Sequence, residues 1–288
     1  MSKVKTTPCK LAIKKTLSYS GVFRYPLTYY QLVSMLISRD SLNVKQIKRE
    51  LKKQTKVDLI DKVDDKYILH GIEPIDWIKR KENAENILKR NKKVLEYIAR
   101  IPWIKMIAVT GSVANYNAEE KADIDLLFIT SKDRVWLSRG FVFLTLSLLN
   151  KLPKEHENRE ICPNIFIDES NLPWAKKRRN LYVAQNIISM QPIFEKEDTY
   201  FKFIYENRWI RNYYPSFKVN YSGVSTKSSS SRSAFMKLIE NMAMISQLFY
   251  MKKRMTTETI TNRLIHFNKN DNSRWILKSY KKLLKSNF

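Results

Sequence analysis

Two aspartates, Asp123 and Asp125, stand at the start of an apolar run of strand length, 126–129. Side chains two residues apart in a strand point to the same face of the sheet, so we expect both carboxylates to project together. Two like charges on one face repel each other unless a cation or solvent relieves the repulsion. Mg²⁺ takes oxygen ligands, commonly one or two carboxylates together with substrate phosphates. The spacing therefore predicts a Mg²⁺ site at the head of this strand.

A glycine and a serine, Gly111 and Ser112, precede the aspartates and follow another apolar run, 106–109. The chain has only 5 glycines in 288 residues, so a glycine here is not the product of a glycine-rich composition. Glycine allows a tight turn and a close approach of the backbone to a ligand, and N–H groups in such a turn can hold phosphate oxygens. A phosphate-binding turn beside a carboxylate pair indicates phosphoryl or nucleotidyl transfer. The alternative is a hairpin with a solvated acidic edge.

The block Gly111-Ser112, ten further residues and then Asp123-Ile124-Asp125 resembles the signature of the DNA polymerase beta-like nucleotidyltransferase superfamily. The resemblance implies that the Gly-Ser turn holds the phosphates of a nucleoside triphosphate (NTP) and that the two aspartates bind two Mg²⁺ ions. It also implies a third carboxylate, on a neighbouring strand, that helps to activate the attacking hydroxyl. From about residue 19 to residue 284, the chain further resembles bacterial nucleotidyltransferase-domain proteins.

The third carboxylate is not obvious in the next candidate strand, 161–168. Period two places Asn164, Phe166 and Asp168 on one face. Asn164 stands where the resemblance implies the acid, but an amide is no general base, although it could hold a water. Asp168 is an acid that lies roughly 13 Å further along the strand. It is either the catalytic carboxylate or a cap at the strand end.

Charge is distributed unevenly along the sequence, whose net charge is +25. Residues 1–100 contain 23 Lys/Arg against 11 Asp/Glu, residues 101–201 contain 13 of each, and residues 202–288 contain 17 against 4. Two basic flanks around a neutral segment suit a polyanionic partner such as RNA or DNA. The main alternative to an enzyme is therefore a nucleic-acid-binding or regulatory protein with a degenerate nucleotidyltransferase fold. A lysine-rich composition throughout the chain would also produce basic flanks.

The cysteines and the hydropathy exclude several classes of protein. Two cysteines, Cys9 and Cys162, are too few for a disulfide framework and lack the spacing of a zinc site. Lysines interrupt the first residues, which leaves no signal-peptide core. The longest apolar run, 140–149, is too short to span a bilayer. We expect a soluble, cytoplasmic protein that does not bind membranes.

The predicted fold class is α+β: a nucleotidyltransferase core with a short mixed sheet and helices, flanked by two further regions. Residues 1–73 resemble a winged-helix module, because a helix at 43–54 with a basic outer face precedes a hairpin at 57–70. A connector helix follows at 74–100, then the nucleotidyltransferase domain at 101–217. Residues 218–288 are predicted to be a serine-rich linker followed by basic helices at 234–254, 257–267 and 272–285.

A helix is also predicted at 133–152, directly after the aspartate strand. Its apolar residues recur at helical spacing, which indicates a core helix that packs on the sheet. The residues expected on the packed face are Trp136, Leu137, Phe141, Leu144 and Leu148.

Overall fold

The computed structural model describes residues 7–151, 161–219, 234–252, 259–266 and 272–286. The helices are α1 (Pro8–Gly21), α2 (Tyr29–Ser34), α3 (Val44–Lys56), α4 (Trp77–Ala99), α5 (Gly111–Ala114), α6 (Val135–Leu148), α7 (Leu181–Ser189), α8 (Thr199–Glu206), α9 (Ala234–Met251) and α10 (Asn272–Ser286). The strands are β1 (Leu27–Thr28), β2 (Ile60–Val63), β3 (Lys66–Leu69), β4 (Ile104–Thr110), β5 (Ile124–Thr130), β6 (Ile161–Asp168), β7 (Gln191–Glu195), β8 (Thr259–Ile260) and β9 (Leu264–His266). The predicted linker at 218–233 lies almost entirely outside the described residues.

The N-terminal helices α1, α2 and α3 pack with a small antiparallel sheet of order β1-β3-β2. Thr28 caps α2 through a capping box with Gln31, in which each side chain accepts a hydrogen bond from the other residue's backbone N–H. Asn43 caps α3 by accepting a hydrogen bond from the N–H of Lys45. The predicted helix and hairpin of this region are confirmed.

The central sheet has the strand order β7-β4-β5-β6-β9-β8 and is mixed, since β5 and β6 are parallel and the other neighbours are antiparallel. Alternate residues of β4 enter two separate cores. Ile107 and Val109 pack with α4, α5, α6 and α9, whereas Met106 and Ala108 pack with α7, α8 and α10. Helices thus cover both faces of the sheet, and the α+β class is confirmed because this sheet is mixed and mostly antiparallel.

Helix α6 packs through a different face from the predicted one. Trp136 and Leu137 are buried, but Leu144 is 54% exposed and Leu148 is 75% exposed, while Val142 and Leu146 are buried instead. Nine of the 14 residues of α6 are apolar and they lie all around the helix, so helical spacing alone does not identify the packed face. Within the described ranges, no helix has the length and apolar character needed to cross a membrane.

The region predicted as a helix at 257–267 contains strands, so that prediction is wrong. β8 pairs with β9, and β9 pairs with the outer edge of β6. The backbone hydrogen bonds offered by β6 override the local helix preference of so short a segment. The strand β7, which pairs with the other side of β4, was not predicted either.

Candidate nucleotide and metal site

The site lies where β4 ends and β5 begins, because these antiparallel strands place Thr110 opposite Asp125. Thr110 Oγ1 donates to the carbonyl oxygen of Asp125 at 3.2 Å. Gly111 follows with φ +70°, a left-handed conformation that favours glycine. A Cβ at residue 111 would lie 2.6 Å from Asp125 Oδ2, closer than two such atoms can approach. Glycine is therefore favoured here by its backbone conformation, and a side chain at this position would push the carboxylate of Asp125 aside.

The two predicted ligands, Asp123 and Asp125, come together as expected from period two. One carboxylate oxygen from each, together with the Sγ of Cys162, forms a group whose atoms all lie within 4.8 Å of one another. Burial raises the pKa of Asp125 to about 7, and the nearby charge of Asp123 adds to the shift. A hydrogen bond from Asn164 opposes these two effects. The pair is thus held close at an energetic cost that a cation would relieve.

Strand β6 places two side chains, Cys162 and Asn164, beside the aspartates, and a bulge at Asn164 then interrupts its regular alternation. In the parallel pairing, Leu126 lies opposite Pro163 but Leu127 lies opposite Ile165, so Asn164 is the extra residue. A proline cannot donate a hydrogen bond to a neighbouring strand and often marks such an irregularity. Pro163 is therefore the signal in the sequence that period two fails in this strand.

The bulge changes which residues of β6 share a face. Cys162 lies in register with Asp125, and Asn164 Nδ2 donates to Asp125 Oδ1 at 3.3 Å. Phe166 instead stacks on Phe128 in the core formed with α4 and α6. The predicted common face of Asn164, Phe166 and Asp168 is thus not observed. Sequence reasoning also missed Cys162, because it searched the cysteines only for disulfide or zinc spacing.

Asp168 is not brought to the aspartate pair. It is fully buried and lies opposite Thr130, five residues beyond Asp125 and so roughly 16 Å along the strand. Its carboxylate accepts hydrogen bonds from the backbone N–H groups of Asp133 at 2.6 Å and Ser170 at 2.8 Å, and from the Ser170 hydroxyl. Of the two interpretations left open by the sequence, the geometry matches the cap at the strand end.

A cleft of about 340 Å³ opens beside the Gly-Ser turn. Its walls include the exposed Ser112 and two basic side chains, Arg80 from α4 and Lys121 from the segment before the aspartates. Arg80 also forms an ion pair with Glu119 at 3.1 Å. Sequence reasoning missed both basic residues, since only the tertiary fold brings α4 next to the turn. Glu119 also lines the cleft, which leaves a net charge of +1 among its lining residues, and the cleft is large enough to receive phosphate groups.

The sequence matches a family model described as the nucleotidyltransferase domain over residues 89–239, more than half of the chain. The chain belongs to this family, within the polymerase beta-like superfamily. The resemblance predicted from the Gly-Ser and Asp-x-Asp residues is therefore confirmed. No curated protein gives a significant match to the sequence. Nucleotidyltransferase domains generally use an NTP and a divalent metal ion.

The site residues can be compared with the needs of such a metal ion. The oxygens of Asp123 and Asp125 are suitable ligands for Mg²⁺, and the missing side chain of Gly111 leaves room next to them. These residues fit a divalent ion. The strand that should supply a third carboxylate offers a thiol, Cys162, and an amide, Asn164, instead.

Proposed function

We propose that the chain is a nucleotidyltransferase that moves a nucleoside monophosphate from an NTP to a hydroxyl acceptor. A bond forms between the acceptor oxygen and the α-phosphorus of the NTP. The bond from that phosphorus to the bridging oxygen of the β-phosphate breaks, and pyrophosphate leaves. The hydroxyl proton passes to water. The family match supports the reaction class, and the observation that carries the proposal is the packing of Gly111 directly against Asp125.

Each site residue has a distinct part in this proposal. Asp123 and Asp125 would hold two Mg²⁺ ions together with the nucleotide's own phosphates. When bound, these ions would neutralise phosphate charge and hold the reacting oxygens near one another. The turn at Gly111 and Ser112 would bind phosphate oxygens. Asn164 would orient Asp125 and hold the water that receives the proton. Asp168 would not receive this proton, because its carboxylate caps the end of its strand.

The proposal is tested by thermal unfolding with each of the four ribonucleoside triphosphates and Mg²⁺. A ligand at a hundred times its dissociation constant stabilises a protein by about 2.7 kcal/mol. We expect such a shift for at least one nucleotide in the wild type and none in Asp125→Asn. Asp65→Asn, an exposed acid in the turn between β2 and β3, is the matched control and should behave as wild type. No shift with any nucleotide, or a shift that survives in Asp125→Asn, would contradict the proposal.

A second candidate function is nucleic-acid binding through the N-terminal region. We propose that residues 1–73 form a winged-helix-like module, whose element order and β1-β3-β2 sheet support this interpretation. The observation that favours nucleic acid is the solvent face of α3. Six basic side chains are exposed there, and within the described residues none of them forms an ion pair with a carboxylate. They are Lys45, Lys48, Arg49, Lys52, Lys53 and Lys56.

Such a face would contact phosphates, so affinity for RNA or DNA should fall steeply with salt. The double variant Lys48→Gln/Lys52→Gln should lower the slope of log affinity against log salt by about 1.8, since each lost phosphate contact on duplex DNA contributes about 0.9. Lys89→Gln/Lys93→Gln on α4 removes the same charge from two exposed positions and is the control. An equal loss in both double variants would indicate a response to net charge alone, and no binding to either nucleic acid would exclude this function.

A further inference from the structure

Cys162 is the third member of the side-chain group at the candidate site. It lies in register with Asp125 across the parallel strands β5 and β6. Its Sγ and one carboxylate oxygen from each of Asp123 and Asp125 lie within 4.8 Å of one another. A single ion could contact all three after small rotations of the side chains. The strand on which the family resemblance implies a third carboxylate therefore places a thiol beside the aspartate pair.

The donor atoms of a site determine which ion it prefers. Mg²⁺ is a hard cation that takes oxygen ligands and retains several waters, whereas thiolate ligands favour softer ions such as Zn²⁺. We propose that Cys162 is a direct ligand at one of the two metal positions and makes that position bind Zn²⁺ or Co²⁺ in preference to Mg²⁺. This inference adds a metal preference to the proposed function, and it relies on that proposed function for what the site does. On binding, the S–H bond breaks, a sulfur–metal bond forms, and the proton passes to solvent.

The other cysteine provides a contrast within the same chain. Cys9 is only 9% exposed and belongs to the apolar core of the N-terminal region, with Ala12 and Ile13. A buried cysteine of this kind behaves as a small apolar residue. Cys162 is half-buried and faces two carboxylates. Since the sequence contains only these 2 cysteines, any thiolate signal on metal binding must come from one of them.

The test is a titration of the full chain with Co²⁺ in the absence of nucleotide. The thiolate-to-cobalt charge-transfer absorption reports the sulfur–metal bond, and calorimetry counts the bound ions. In the wild type and in Cys9→Ser, we expect the absorption to saturate at one thiolate per chain. In Cys162→Ser it should be lost, with Co²⁺ affinity at least about tenfold weaker. Cys162→Asp should raise the affinity for Mg²⁺ relative to Co²⁺, because a carboxylate is the harder ligand.

The inference is overturned if Co²⁺ does not bind, if it binds to the wild type without the charge-transfer absorption, or if the absorption persists in Cys162→Ser. The wild-type spectrum alone can give the first two results, so the test does not depend on a variant that folds. Because the titration needs no nucleotide, the two proposals fail separately. A nucleotide-dependent thermal shift without the thiolate absorption contradicts only the role of Cys162, whereas the absorption without any nucleotide shift contradicts only the proposed transfer.

Discussion

Asp125 and Asp168 lie at opposite ends of the paired strands β5 and β6, in opposite chemical situations. Asp168 is fully buried, yet two backbone N–H groups and a hydroxyl donate hydrogen bonds to its carboxylate. Asp125 lies close to another carboxylate, and the only hydrogen bond described for its own carboxylate comes from Asn164 at 3.3 Å. Both residues are aspartates near the end of a strand, and their neighbours within that strand are apolar. Their hydrogen-bond partners, rather than their residue type, distinguish a structural carboxylate from one that is available to a ligand.

The largest effect is expected from Asp168→Ala. Truncation removes the acceptor of the part-buried N–H groups of Asp133 and Ser170, and a polar group left unsatisfied away from water costs about 1–3 kcal/mol. We expect the free energy of unfolding, measured by denaturant titration, to fall by about 3 kcal/mol. Asp76→Ala is the matched control, because Asp76 is an exposed helix cap that accepts one hydrogen bond, from Lys79. It should cost about 1 kcal/mol, and equal losses in the two variants would break the contrast.

Gly111→Ala should have an intermediate effect on stability, and it should also affect nucleotide binding. The positive φ costs about 1–2 kcal/mol in any residue with a Cβ, and the new methyl group would displace the carboxylate of Asp125. We expect a loss of stability of about 2 kcal/mol, together with loss of the nucleotide-dependent thermal shift. Gly71→Ala has a similar φ, +77°, with nothing within 4 Å of the added Cβ. It should lose about 1 kcal/mol and keep the nucleotide shift; a retained shift in Gly111→Ala would place the ligand elsewhere.

The smallest effect is expected from Asp125→Asn, and this variant should gain stability rather than lose it. The pKa of Asp125 is raised from 3.8 to about 7, so the folded state favours the neutral acid. Stability is therefore lost as pH rises between these two values, and the full penalty is present above about 7. Each pKa unit corresponds to about 1.4 kcal/mol; after a discount for partial exposure to solvent, the metal-free variant should be about 1–2 kcal/mol more stable than wild type at pH 8.

The same variant should show almost no stability difference from wild type at pH 4, where Asp125 is neutral in the folded state. Unfolding free energies of both proteins, measured across this pH range in a metal chelator, check the prediction. A variant that is less stable at pH 8 would mean that Asp125 makes a favourable contact in its charged form. In that case the difference between the two ends of the strands would disappear.

Much of the site could be predicted from the sequence because its parts are local. Gly111, Ser112, Asp123 and Asp125 are joined by one short connection between two strands, and period two places the aspartates together. The contribution of β6 could not be predicted in the same way. The position of Cys162 beside the aspartates depends on the register between β5 and β6, and the separation of Asn164 from Phe166 depends on the bulge. Only the pairing of the strands determines both.

The fold shows the same division between local and tertiary information. Helix α3, which has a clear cap and a polar face, was predicted to within two residues at each end. Helix α6 is apolar around most of its circumference, so its packed face is set by its neighbours. Strands β8 and β9 are too short to have a strong preference of their own, and their backbone partner on β6 decides their conformation.

The bulge in β6 also has a consequence for substitutions in this strand. Residues after it, including Ile165 and Phe166, continue the regular alternation that fills both cores. The side chains at 162 and 164, by contrast, are only half-buried and face the aspartates. Within β6, the side chains that fill the cores are thus separate from the side chains that face the aspartates. Single substitutions at 162 or 164 should therefore exchange an acid, a thiol or an amide beside the aspartates without repacking either core.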